Sequence, residues 1–200
     1  MREVARFAVV LVLAVVCGGC HPQTPPAPKP EPSAAERLSA AKAALANGDC
    51  DRARPDLDAA VKARPELFEA QVLRGICAFK QHDPQTGEQA LSLAMKADPS
   101  SPLPYEALGI ALYGLDRREA AKQALDTAVS KGSKDPRISY YLGNLAMFAG
   151  DCRAAFTAYR RATVLDPAFL PAQTEFDAAR RACAKGIVPK PAASSEASRP

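Results

Sequence analysis

The sequence contains no tryptophan and only two histidines, His21 and His82, which stand too far apart to offer a metal the paired imidazoles of one helix. It also lacks a glycine-rich phosphate loop, a G-x-S-x-G elbow and an H-E-x-x-H signature. Its carboxylates alternate with cations, as in Asp116-Arg117-Arg118-Glu119, the pattern of a solvated face. No enzyme, metal site or cofactor is expected. An excess of one charge is missing too: 26 Lys and Arg against 22 Asp and Glu give a net charge of +4, too dilute to mark a nucleic-acid footprint. With 200 residues, there is room for one domain or one short repeat array.

Long apolar runs are scarce. The one that occurs, Phe7 to Val16, falls short of the ~20 residues that cross a bilayer. Arg2 and Arg6 precede it and Cys17-Gly18-Gly19-Cys20 follows, a layout of basic, apolar and small-residue regions that reads as an export signal. A C-x-x-C pair also serves redox and metal sites, but no βα context surrounds this one and an apolar run enters it directly. Two small residues ahead of Cys20 resemble the bacterial lipoprotein signal. That resemblance implies removal of residues 1–19, a diacylglyceryl group on Cys20 and a membrane-anchored protein; His21, where an Asp would retain the protein at the inner membrane, implies the outer membrane facing the periplasm.

Proline is abundant but unevenly spread. Residues 21–33 hold six prolines, which supply no amide donors and fix φ, so this stretch is expected to be a semi-rigid tether of roughly 40 Å. The tail 187–200, rich in Pro, Ser and Ala without periodicity, is expected to be disordered.

Between these flanks the sequence repeats. Pro65, Pro99 and Pro167 are spaced by 34 residues and by twice 34, with Ser133 at the intervening step, which gives registers 34–67, 68–101, 102–135 and 136–169. The eighth position holds Ala41, Gly75, Gly109 and Gly143; the twentieth holds Ala53, Gly87, Ala121 and Ala155. Leu57, Leu91, Leu125 and Tyr159 occupy the twenty-fourth position, where a large side chain is expected to fill space between hairpins. This pattern resembles the tetratricopeptide repeat. The implied fold is all-α: an α-solenoid of four helix hairpins closed by a C-terminal capping helix over 170–186. Ser33 and Glu36 read as a capping box, Gly48, His82, Asp116 and Gly150 as inter-helix turns, and Gly132 as a helix stop.

In this register Cys50 and Cys152 share the seventeenth position, at the start of a second helix, while Cys77 and Cys183 fall late in the following first helix. Antiparallel neighbours bring these ends together. Disulfides Cys50–Cys77 and Cys152–Cys183 are therefore expected, against the alternative of four buried free thiols.

Function in such solenoids usually resides in the concave face lined by first helices. Its expected members are Val72, Ile76, Phe79, Ile110, Tyr113, Tyr140, Asn144 and Met147, an apolar and aromatic groove for a protein or peptide partner. The alternative is that the aromatics pack between hairpins. The Lys and Asn clamp by which related repeats hold a terminal carboxylate is not reproduced: Asn144 fits, but Leu38, Val72, Glu106 and Tyr140 fill the other key positions. The whole chain resembles repeat-containing lipoproteins of Gram-negative bacteria that assist pilus or secretin assembly. A regulatory adaptor for a cell-wall hydrolase or protease is the alternative, and cytoplasmic scaffolding follows if the signal is not one.

Overall fold

Nine helices follow one another among the described residues, 31–185 of the computed structural model. The expected export signal, Cys20, most of the expected tether and the tail lie outside them. The helices pair into hairpins: α1 (Ala34–Leu45) with α2 (Cys50–Ala63), α3 (Phe68–Lys80) with α4 (Pro84–Ala97), α5 (Leu103–Gly114) with α6 (Arg118–Ser130), and α7 (Pro136–Phe148) with α8 (Cys152–Leu165). The last helix, α9 (Leu170–Ala184), lies on α8. No helix among the described residues is long and apolar enough to cross a membrane.

Local chemistry accounts for the boundaries. Glu36 accepts from the Ser33 amide at 2.7 Å while Ser33 Oγ accepts from the Glu36 amide at 3.3 Å, a complete capping box opening α1. Asp49, Asp83 and Asp151 cap α2, α4 and α8 by accepting from the amides of Arg52, Thr86 and Ala154. Helices α2, α4 and α8 each end two residues before a proline, and Gly132, at φ 86°, turns the chain after α6. Pro55 is an exception, standing inside α2 on its solvent side.

The small eighth position permits close helix approach, and the structure shows its partner. A Cβ on Gly75 would lie 2.7 Å from Leu91 Cγ, and one on Gly109 would lie 2.5 Å from Leu125 Cδ2. A Cβ on Gly143 would press into the Tyr159 ring. The large twenty-fourth residue therefore fills its own hairpin and not, as expected from sequence, the space between hairpins. The interior is correspondingly lined by alanines with these large residues between them: Leu57, Leu91, Leu125 and Tyr159 are fully buried.

Both expected disulfides are present. Cys50 and Cys77 join α2 to α3 with Cα atoms 5.3 Å apart, and Cys152 and Cys183 join α8 to α9 at 6.2 Å. On α9, the side facing away from α8 is polar and exposed at Gln173, Asp177, Arg180 and Arg181, as a terminal cap requires.

Candidate functional site

Along the stack α3 touches α5, α5 touches α7 and α7 touches α9, while no pair of even-numbered helices meets to a comparable extent. The odd helices therefore line the inner side of the curve. Of the eight residues expected there, four are half-buried: Ile76 and Phe79 on α3, Ile110 and Tyr113 on α5. Leu103, the second residue of its repeat and the first of α5, is 49% exposed and shares a helix face with Ile110, seven residues on; the expected set did not include it.

The other four are corrections. Val72 packs with Leu91 and Ala94 of α4. Met147 and Tyr140 are 2% and 5% exposed, inside the core shared by the last two hairpins and α9. Tyr140 meets Tyr141, Tyr159 and Phe169 with ring centroids 5.4, 6.2 and 5.7 Å away. Asn144 has no exposed surface: its Oδ1 accepts from the Tyr159 hydroxyl at 2.8 Å and its Nδ2 donates to the Tyr113 hydroxyl at 3.2 Å. It ties two hairpins together, and so cannot reach a ligand. Phe79 is partly committed as well, since its ring lies against Gly87 of α4. Packing accounts for the aromatics of α7, and the open inner surface contracts to α3 and α5.

Burial shapes the electrostatics of this region. Desolvation pushes the hydroxyls of Tyr113 and Tyr140 above their ordinary range, and that of Tyr159 furthest, so all three stay protonated at neutral pH. No group of three or more His, Cys, Asp or Glu that could hold a metal occurs among the described residues.

A second concavity lies elsewhere. Phe156, Thr157, Arg160, Arg161 and Val164 of α8, with Phe176 of α9, enclose an open groove of about 440 Å³. Its floor is the edge-on pair Phe156 and Phe176, with centroids 5.8 Å apart.

The helix hairpins, their period and their small-to-large pairing coincide with the tetratricopeptide repeat model, which matches residues 38–102 and 106–168. The chain belongs to the tetratricopeptide repeat family. A protein–protein interaction scaffold is what this repeat fold suggests, and such proteins are generally not enzymes. Among solved structures, MamA is 24% identical with a TM-score of 0.62, covering 74% of this chain and 85% of its own. PilF of Pseudomonas aeruginosa is 17% identical with a TM-score of 0.69, covering 76% and 69%. YrrB, described as a tetratricopeptide repeat protein with an unusual peptide-binding site, is 18% identical with a TM-score of 0.60, covering 80% and 81%. A comparison with curated protein sequences finds no match.

Proposed function

We propose that this protein is a lipid-anchored scaffold of the cell envelope that binds a partner segment along the inner face of α3 and α5 and assists assembly of a pilus or secretin. The observation that carries the binding site is the run of Ile76, Leu103, Ile110 and Tyr113, apolar side chains left incompletely covered on consecutive inner helices. An apolar stripe of this kind suits an amphipathic helix or an extended hydrophobic peptide. The anchor is supported by Arg2, Arg6, the Phe7–Val16 run and Gly18-Gly19 ahead of Cys20. Two or three acyl chains at Cys20, each buried methylene contributing ~0.8 kcal/mol, would hold the domain at a membrane permanently. The likeness to PilF supports the architecture of the assembly reading.

Two measurements test this. Mass spectrometry of protein purified from its native envelope should find residues 1–19 removed and Cys20 acylated; an unmodified Cys20 thiol would end the anchor. Ile76→Asp with Ile110→Asp should abolish capture of a pilus or secretin subunit from envelope extract while the helical circular dichroism stays intact. Capture of the same subunit by that variant would remove the inner face from the mechanism.

A further inference from the structure

Helices α2, α4 and α6 each carry carboxylates, and ion pairs form from those of α2 and α4 to cations on neighbouring elements. Arg37 pairs with Asp56, Arg74 with Asp58 and Arg117 with Glu88, although Arg52, Lys62, Lys80 and Lys96 stand exposed without such a pair. The second helix of the last hairpin departs from this. Helix α8 carries Arg153, Arg160 and Arg161 and is the one even-numbered helix with no carboxylate of its own. Arg153 and Arg160 are exposed with no carboxylate paired to them. Arg161 is held in place by donating to the Ser133 carbonyl at 3.1 Å, which leaves its charge uncompensated.

These charges flank apolar surface. Val164 is 73% exposed, the most exposed large apolar side chain among the described residues, and beside it Phe156 and Phe176 form the groove floor. Arg180 stands one turn from Phe176 on α9, at the i+4 spacing that shares a helix face. A soluble surface gains nothing from leaving an aromatic floor and unpaired guanidinium groups side by side. We propose that the groove between α8 and α9 docks an acidic segment of a partner protein, with apolar side chains seated on Phe156, Val164 and Phe176 and carboxylates meeting Arg160 and Arg161. The site is separate from the inner face of α3 and α5. It gives the scaffold a second point of attachment.

Charge and shape decide the occupant. Guanidinium groups match carboxylates two bonds at a time, and Arg161, already fixed by Ser133, has little freedom left to lose on binding. The chain's own tail is a poor complement, because residues 186–200 hold Lys190 and Arg199 against Glu196 alone.

The test uses the full chain with its disulfides intact, and a fluorescein-labelled helical peptide with Leu and Phe on one face bordered by Glu. Fluorescence anisotropy should show binding that weakens as salt rises, since exposed charges are screened over ~8 Å at physiological ionic strength. Replacing the peptide's Glu by Gln, or Arg160→Glu in the protein, should each weaken binding about tenfold or more. Val164→Asp should do the same, whereas Ile76→Asp with Ile110→Asp should leave it unchanged. Arg160→Glu should also bind a Lys-bordered version of the peptide better than the natural protein does, a gain that an unfolded variant could not give. Equal binding of the Glu and Gln peptides, or unaltered binding by both groove variants, would overturn the proposal. So would tighter peptide binding after truncation at Lys185, which would put the tail in the groove, or self-association lost in Val164→Asp, which would put a second copy there. Arg160-dependent binding to phosphatidylglycerol vesicles without peptide binding would assign the surface to a membrane instead.

Discussion

At the fifteenth position of every repeat the backbone is left-handed: φ is 73° at Gly48, 60° at His82, 56° at Asp116 and 76° at Gly150. Glycine adopts this conformation without a steric cost, whereas an L side chain forces Cβ toward a carbonyl at ~1–2 kcal/mol. The next position should then cap the following helix, as Asp49, Asp83 and Asp151 do, but the third hairpin has its acid one residue early and Arg117 at the cap without a side-chain bond. Asp116→Gly with Arg117→Asp should therefore raise the unfolding free energy by about 1–2 kcal/mol, from relieved strain and a restored cap. The two exposed pairs lost in the exchange, Arg117–Glu88 and Arg118–Asp116, contribute little. Urea unfolding of the variant and the natural protein measures the difference, and a variant less stable than its parent would contradict the assignment.

Between helices, the carbonyl at the thirty-second position always receives a donor from a side chain in a later helix or, for Pro99, from the residue that caps the end of one. Gln71 Nε2 donates to Pro65 O at 2.8 Å, Lys131 Nζ to Pro99 O at 2.5 Å and Arg161 Nη2 to Ser133 O at 3.1 Å, while Gln173 donates to Pro167. No sequence pattern announces this, because Gln, Lys and Arg reach the same carbonyl from different positions. Features that depend on local chemistry were legible: the period, the caps, the left-handed turns and the cysteine pairs. The fate of the inner aromatics was not, because a tyrosine at a given position is core or surface according to what the next unit lays over it. Phe169 and the last helix cover Tyr140, whereas Tyr113 stays half-open. The two disulfides also differ in what depends on them. Helix α9 has neighbours on one side alone, so Cys152→Ala with Cys183→Ala should remove up to ~3–4 kcal/mol, the loop-closure estimate for a separation of 31 residues, chiefly by freeing that helix. Hydrogen exchange should accelerate across Leu170–Ala184 and stay nearly unchanged in α1 to α6. A uniform acceleration would mean that the bridge stabilises the whole stack.

Across the whole molecule the aromatic load is lopsided, for all 5 tyrosines fall in the last two hairpins. There, three hydroxyls are held protonated by burial, which links the stability of the stack to alkaline pH. Tyr159, Tyr140 and Tyr113 all have folded-state pKa values raised above the ordinary 10.0, mainly by desolvation. The folded state thus keeps these protons more tightly than the unfolded chain. Their contribution is fully present below pH 10.0 and is lost as pH climbs above it, because the unfolded chain then releases protons that the folded one retains. Tyr159, sealed by Asn144, should alone tilt the unfolding free energy by ~1.4 kcal/mol per pH unit in that range, with Tyr113 and Tyr140 adding shallower slopes because they lie nearer solvent. Phenolate absorbance should consequently appear for these groups only as the helices melt, and Tyr159→Phe should flatten the alkaline slope even though it lowers stability at neutral pH by leaving Asn144 Oδ1 without its donor. Tyrosine titration that runs to completion near pH 10.0 with the circular dichroism still native would show that the cluster admits water, and that the last two hairpins are held by their alanine core and disulfide alone.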